Sequence, residues 1–475
     1  MRRESGEHGA RSQVVPVEAS PGVEAAVVSF QTGRDPFVLE SSASDPTYGR
    51  FTILGCDPVH TFTAERGEPL PIDGLAECAR RYPACRSVDG VPFVGGWVGY
   101  LSYEAGLGIE NIRPTTRQDI ALPPARFCLY DTAAVFDHLT GRWHAAGVEW
   151  PPGVCDDRPP LAERLADVSA RLAAAGQPPP VRWDRSPTAP PESSLSRGQY
   201  LDLVERAKRY IEAGDIYQVN LSRRLSTTTT ATPLELYRRV RQVNPSGYAA
   251  LLQWDNRAVI SGSPELFLDL RGERVVTRPI KGTRPRVGDE ALDAMRRGEL
   301  LDSEKDRAEL TMIVDLLRND LGRVCRFGSV RVISPADLEE HPTVYHLVGT
   351  IEGRLGEDRD WADLLRACFP GGSITGAPKV RAMQIIDELE PLCRSVYCGS
   401  IGYIGLDGSM CLNIAIRTMI LDDDRLHLFA GGAIVADSDA ADEFEETEAK
   451  AAGLLRAIGH GPPRPAAQPL TESAP

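Results

Sequence analysis

The sequence lacks any apolar run approaching the roughly 20 residues needed to cross a bilayer. Its first residues, Met1-Arg2-Arg3-Glu4-Ser5-Gly6-Glu7-His8, are partly basic but have no apolar stretch behind them. Neither a membrane span nor a secretory leader is expected, and a cytoplasmic location is. Cysteine is sparse and scattered: the ten cysteines form no Cys-x-x-Cys pair, and the nearest two are Cys393 and Cys398. That spacing fits no zinc ribbon and reads as free thiols in a reducing compartment. Positive charge is in deficit, with 53 Lys and Arg against 67 Asp and Glu and a net charge of −14. This balance argues against attachment to nucleic-acid phosphates by bulk charge, although a local basic patch would survive it. The balance says nothing against an acidic small substrate, because a site needs only local positive charge. With 42% hydrophobic and 25% charged residues over 475 positions, the chain is neither a disordered polymer nor a collagen nor a coiled coil.

The pattern changes along the chain. Residues 1–12 read as a disordered tail. Residues 13–150 hold short apolar runs between turns, such as Val23–Phe30, Phe51–Leu54, Phe93–Leu101 and Ala133–Phe136, a strand-rich texture. Residues 151–195 read as a proline-rich connecting segment around one helical stretch, Leu161–Ala175. Residues 196–458 carry every chemical motif, and 459–475 read as a loose Pro- and Ala-rich tail. Within the third part, Arg197–Gly214 predicts a helix and Ala249–Leu270 a hairpin around Asp255-Asn256. Ser303–Gly322 predicts a long helix from Leu310, Ile313, Val314, Leu317 and Leu321 at three- and four-residue steps. Ser303 followed by Asp306 resembles a capping box with Asp in place of Glu. Val344–Ile351 alternates like a strand, and Pro378–Leu389 and Asp439–Ile458 predict two more helices.

Five local patterns could carry chemistry. Asp306 and Glu309 lie three apart on one helix and Glu443 and Glu446 three apart on another, so each pair projects from one face. Two acidic edges suit a hard divalent cation, though acids near helix starts are also favoured simply by the dipole. The block Arg278–Arg286 concentrates three arginines and Lys281 between glycine and prolines, as an anion-binding turn or a solvated basic loop. If Lys281 is buried its pKa falls, and a neutral amine is a nucleophile or base. Phe369–Lys379 is glycine-rich and leads into a helix, an arrangement that can aim backbone N–H groups at an anion. It is not a nucleotide-binding loop of the Walker kind, because Ala377 stands where lysine should follow the second glycine. Ala430-Gly431-Gly432-Ala433 is a second glycine-rich turn, and His346 sits alone in a strand pattern.

Taken together and in order, Ser263-Pro264-Glu265, Pro279–Arg286, Met312–Val324, Phe369–Glu390, Cys398–Tyr403 and Ile434–Lys450 resemble the chorismate-utilising enzyme family. The resemblance implies an α+β fold: two large, mainly antiparallel sheets packed face to face and flanked by helices, with the N-terminal half interleaved with the rest. Lysine at position 281 is similar to the aminodeoxychorismate synthase component I branch, where anthranilate synthases carry alanine. The Arg318-Asn319-Asp320 run sets the chain apart from isochorismate and salicylate synthases. The implied reaction converts chorismate and ammonia to 4-amino-4-deoxychorismate, for 4-aminobenzoate and folate or a related specialised product.

The family roles carried over to matching positions are these. Lys281 is the nucleophile, Glu265 the general acid, and His346 a neighbour of the reacting ring. Thr283 and Ser373 touch the ring. Tyr397, Arg417 and the amides of Gly431, Gly432 and Ala433 hold the substrate's side-chain carboxylate, with Lys450 nearby. Mg2+ is held by Glu309 and Glu446, with Asp306 and Glu443 acting through waters. Ala433 stands where many relatives have glycine, and a left-handed backbone there would cost alanine about 1 kcal/mol or more. Leu39, Glu40, Ser41 and Ser42 resemble one wall of the family's tryptophan pocket and Asn244, Pro245, Ser246, Gly247 and Tyr248 the other, with Gly247 replacing the usual second proline. No cysteine sits in the Gly-x-Cys-x-Gly setting of a glutaminase nucleophile, so ammonia is expected from a separate glutamine amidotransferase subunit. The competing activities are anthranilate synthase component I or 2-amino-2-deoxyisochorismate synthase. A second class is a non-catalytic chorismate- or tryptophan-binding regulator, which the presence of Lys281 and all four acids disfavours.

Overall fold

The computed structural model describes residues 9–41, 49–67, 70–183, 189–341 and 344–460. Most of both expected tails (1–8 and 461–475) and Ser42 lie outside these residues. Within them the chain forms two large sheets in which every strand pair is antiparallel. The first has 12 strands, running from Arg11–Pro16 at one edge through Phe37–Glu40, Tyr248–Trp254, Arg257–Ser263, Thr418–Asp422, Arg425–Ile434 and Gln218–Thr228 to the short Gly376–Ala377. The second has 10, with Ile280–Pro285 and Val344–Arg354 at one end and His60–Thr63 at the other.

Both halves of the chain build both sheets. Phe37–Glu40 pairs with Tyr248–Trp254 in the first, and Gly96–Leu101 pairs with Ser400–Gly405 in the second. The N-terminal region is therefore part of the same layers as the C-terminal one.

The strand sequences explain the layering. A strand buried on both faces reads as a continuous apolar run, and its alternate residues serve two different cores. Ala250, Leu252 and Trp254 enter the large core shared with the second sheet, whereas Ala249 and Leu251 enter a smaller core under the outer helices. Phe429 and Ile434 face the large core and Leu426, Leu428 and Ala430 the small one. Among the helices, Glu304–Gly322 buries Leu310, Ile313, Val314, Leu317 and Leu321. It starts at Ser303, whose hydroxyl accepts from the Asp306 N–H. Asp439 caps Ala440–Ala457 in the same way, accepting from the N–H groups of Ala441 and Asp442.

Several expectations change. Val23–Phe30 is a helix, not a strand; Val23, Ala25, Ala26, Val27 and Phe30 are all buried, so no polar face betrays its period. Residues Arg11 and Ser12, read as tail, open the first edge strand. The basic block is neither a turn nor a solvated loop: Ile280–Pro285 is a strand paired with Val344–Leu347 and Val348. The proline-rich segment packs its helix, Leu161–Ala173, through Leu161, Leu165, Val168 and Leu172. All ten cysteines are free, and no described helix is long and apolar enough to cross a membrane.

Candidate active site

Lys281 owes its position to a bulge. In the ladder with the neighbouring strand, Lys281 faces Leu347 and Thr283 faces His346, so Gly282 is an extra residue. Gly282 has φ +74°, and a Cβ there would meet Leu300 Cδ1 at 2.8 Å and Asp306 Cγ at 2.9 Å. Only glycine allows this strand to approach the helix Glu304–Gly322 so closely. The result is a lysine with 13% side-chain exposure, its Nζ 3.6 Å from Glu309 Oε2. Burial lowers the Lys281 pKa; Glu309 opposes that, and Lys450 reinforces it.

Glu265 is 4% exposed, just before the strand Leu266–Arg271 of the same sheet. The hydroxyl of Ser373 donates to its Oε1 at 2.6 Å. Burial pushes the carboxyl up to about 7, while the Ser373 hydrogen bond and the charge of Lys281 pull the other way. His346 is buried beside them, with Nδ1 2.8 Å from Thr283 Oγ1. Burial, then the nearby Arg417 and His341, hold its pKa well below the ordinary value, so the ring is neutral. Arg417 has φ +49° and donates from Nη1 to Asn244 Oδ1 at 3.0 Å. No carboxylate pairs with it among the described residues, and burial lowers its pKa. A partly desolvated guanidinium without a counter-ion is a receptor for an anion.

The glycine-rich turn expected at 430–433 is the end of the strand Arg425–Ile434. Beyond Leu428 this strand keeps Gln218–Thr228 as its partner on one edge, while Thr418–Asp422 has ended on the other. Gly431, Gly432 and Ala433 stand opposite Ser222, Leu221 and Asn220. Ala433 is not in the left-handed region, so alanine carries no penalty there. Tyr397 is buried and stacked on Phe429 of the same strand, centroids 5.0 Å apart and planes 6° apart.

The four acids converge from two helices but are not equivalent. Glu446 Oε1 holds Lys450 Nζ at 2.6 Å, and that ammonium also donates to the Gly431 carbonyl at 3.0 Å. Burial works against the Glu446 carboxylate, but Lys450 and Lys281 hold it below its ordinary pKa. Glu443 is 4% exposed; Ser438 donates to its Oε1 at 2.7 Å, while Oε2 is buried with no hydrogen-bond partner among the described residues. A Cβ on Gly432 would stand 2.8 Å from that oxygen. Asp306 is drawn to Arg284 at 3.0 Å. Among the described residues no three such side chains are gathered as a finished ligand shell. The donor set is nevertheless all hard oxygen, and the unpartnered Glu443 Oε2 is an acceptor waiting for a water or a cation. These residues therefore fit a divalent ion.

The expected tryptophan-pocket residues lie elsewhere. Leu39, Glu40, Gly247 and Tyr248 line a cavity of 570 Å³ together with Arg50, Phe51, Arg271, Tyr403 and Asn413. Glu40 is also bound by Arg241 Nε at 2.7 Å and by the Tyr237 hydroxyl. Ser41 and Ser246 are buried and are not part of the lining; the Ser41 hydroxyl has no partner among the described residues.

Sequence reasoning missed Arg284, which pairs with Asp306, and Lys305, whose charge reaches Glu443 and Glu446. The density of basic residues around the acidic helix was the available signal. It also assigned Asn244 only to a pocket wall, whereas Asn244 holds Arg417.

Comparison with known proteins identifies the family. The family model for chorismate binding enzymes matches residues 35–456. Anthranilate synthase component 1 of Thermus thermophilus is 42% identical over 434 residues, covering 89% of this chain and 92% of that protein. Aminodeoxychorismate synthase component 1 of Klebsiella aerogenes is 39% identical over 429 residues, covering 89% and 90%. Among solved structures, anthranilate synthase component I of Streptococcus pneumoniae superposes with a TM-score of 0.74 at 33% identity, covering 86% of this chain and 92% of that one. With a model match over most of its length and relatives near 40% identity, the chain belongs to the family of chorismate binding enzymes.

Proposed function

We propose that the chain is component I of an aminodeoxychorismate synthase, which converts chorismate and ammonia to 4-amino-4-deoxychorismate. The observation that carries this reading is Lys281, an amine made less basic by burial and set among Glu309, Glu265 and Glu446. Its lone pair attacks C2 of the ring, the double-bond electrons shift, and the C4–O bond breaks. Hydroxide is a poor leaving group, so Glu265 donates a proton and water departs; a carboxyl with a pKa of about 7 is matched to that task near neutral pH. Ammonia then attacks C4, the electrons return, and the bond to Lys281 breaks. The enolpyruvyl group stays attached, and a separate lyase removes it as pyruvate.

Arg417 and the amides of Gly431 and Ala433 hold the side-chain carboxylate, with Tyr397 beside them. Thr283, Ser373 and His346 contact the ring, and the neutral imidazole orients the Thr283 hydroxyl. Glu309 and Glu446 would hold Mg2+, with Asp306 and Glu443 acting through waters, and the ion when bound supplies electron withdrawal from the ring. A separate glutamine amidotransferase subunit supplies the ammonia in the cytoplasm. The cavity beside Leu39, Glu40 and Tyr248 is a candidate tryptophan pocket.

The test is incubation of the chain with chorismate, Mg2+ and ammonium salt, with and without an aminodeoxychorismate lyase. 4-Aminobenzoate should appear only with the lyase, and Lys281→Ala should abolish it. An undiminished rate in Lys281→Ala would end the covalent reading. The second reading, nitrogen delivered to C2, draws on the 42% identity to an anthranilate synthase component. Fluorescent anthranilate formed without lyase would establish it instead.

A further inference from the structure

The general acid depends on a turn that is held largely by groups outside it. Ser373, which donates to Glu265, lies in the short 3-10 turn Gly372–Ile374 after Gly371. Gly371 and Gly372 have no side chains to anchor it, and there is no room for any: a Cβ would come within 2.5 Å of Ile414 Cδ1 and 2.6 Å of Leu316 Cδ2 respectively. Thr375 Oγ1 donates to the Gly371 carbonyl at 3.0 Å, but the carbonyls of Ser373, Ile374 and Thr375 are held from outside. Asn220 Nδ2 donates to the Ser373 carbonyl at 2.7 Å, and the Asn220 N–H to the Thr375 carbonyl at 2.8 Å. Arg394 Nη1 donates to the Ile374 carbonyl at 3.0 Å, and Nη2 to the Asn220 carbonyl at 2.7 Å.

Arg394 is itself fixed. It is 2% exposed, and Glu390 grips it in a fork, with Nε to Oε2 at 2.9 Å and Nη2 to Oε1 at 2.6 Å. Glu390 is held in turn by the Ser222 N–H and hydroxyl at 2.8 and 3.0 Å. The guanidinium lies 4.7 Å over the Tyr103 ring. One planar group thus ties the strand Gln218–Thr228 to the turn, and lysine, a point charge with no fork, could not reproduce that geometry.

We propose that Arg394, locked by Glu390 and acting with Asn220, is a positioning residue that sets the Ser373 hydroxyl against the carboxyl of Glu265. This rests on the reading of Glu265 as the general acid. A hydroxyl that donates to a carboxylate favours its ionised form, so loosening the turn lets Glu265 keep its proton to higher pH. The other titratable groups acting on or near Glu265 are Lys281 and Cys398. Arg394→Lys keeps the positive charge that Cys398 feels, so a change in that variant reports geometry rather than net charge.

The experiment is the pH profile of kcat/KM for the wild type, Ser373→Ala, Arg394→Lys and the double variant, with product followed through the lyase. Ser373→Ala should move the high-pH limb upward. Arg394→Lys should move it in the same direction and lower kcat about tenfold or more, because the donor shifts by a fraction of an ångström. The double variant should move it no further than Ser373→Ala alone, since both act through one bond. A limb that stays put in Arg394→Lys, or shifts that add in full, would overturn the positioning role while leaving Glu265 as the acid. If Ser373→Ala itself leaves the limb in place, the general-acid reading fails and this proposal with it. Should Arg394→Lys fail to fold, Asn220→Ser tests the same prediction, because it removes the bond to the Ser373 carbonyl and leaves the Arg394–Glu390 pair intact.

Discussion

Replacing Gly282 by alanine probes whether the bulge holds Lys281 in place. The backbone penalty follows from φ +74°: an L-residue in the left-handed region loses about 1–2 kcal/mol. The steric penalty follows from contacts of 2.8–3.0 Å with Leu300 and Asp306; overpacking of that kind costs about 1–3 kcal/mol. Together they predict a loss of about 2–5 kcal/mol. Gly272→Ala is the control, because Gly272 has φ +60° but nothing within 4 Å of the added Cβ, leaving the backbone penalty alone. Melting separates these variants poorly. With an unfolding entropy of about 2 cal/mol/K per residue over 475 residues, each kcal/mol is worth only about 1 °C. Turnover separates them well. If Leu300 and Asp306 push the bulge aside by about 1 Å, kcat/KM should fall by about 10²-fold in Gly282→Ala and stay near wild type in Gly272→Ala. Equal, wild-type turnover in both would refute the claim that the bulge aims Lys281.

Glu265→Gln should lower kcat by about 10²–10⁴-fold. The acid must be protonated to act, so wild-type activity should decline as pH rises through about 7, and a residual glutamine activity that keeps this limb would show that another group is titrating. Glu309→Gln and Glu446→Gln should each raise the Mg2+ concentration for half-maximal rate by about 10–100-fold, the loss found even for outer-shell partners; unchanged metal titrations would reject the ligand assignment. Lys379 and Asp320 form a buried pair at 2.6 Å with side-chain exposures of 7% and 4%. Lys379→Ala should destabilise by about 3–5 kcal/mol by stranding the carboxylate, and an added Asp320→Leu should restore much of that. A thermal midpoint insensitive to Lys379→Ala would show that solvent already reaches the pair.

The candidate site was legible because its members sit in long motifs that keep their order, and the structure brings Lys281, Glu265, His346, Arg417, Ser373 and the two acidic helix edges into one neighbourhood. The long helix was legible from its apolar spacing and its serine cap. Val23–Phe30 was not, because it is wedged against both the helix Leu161–Ala173 and the strand Phe51–Gly55 and so shows no polar period. The basic block misled because charge density suggests solvent, whereas Arg278 and Arg284 are neutralised by Glu339 and Asp306 from other elements. Arg394 was invisible for a related reason: it bonds Asn220 174 positions away, and its own amide donates to Glu104 290 positions away. Such partners cannot be inferred from local pattern.

The sharing of both sheets between the two halves bears on biosynthesis. The strand Gly96–Leu101 must wait for Ser400–Gly405, about 300 residues later, before its edge is covered. At translation rates of about 5–20 residues per second, that gap lasts roughly 15–60 s. Throughout it the ribosome displays sticky, half-built β-structure, so productive expression of this enzyme should lean on holdase chaperones far more than its compact final form would suggest.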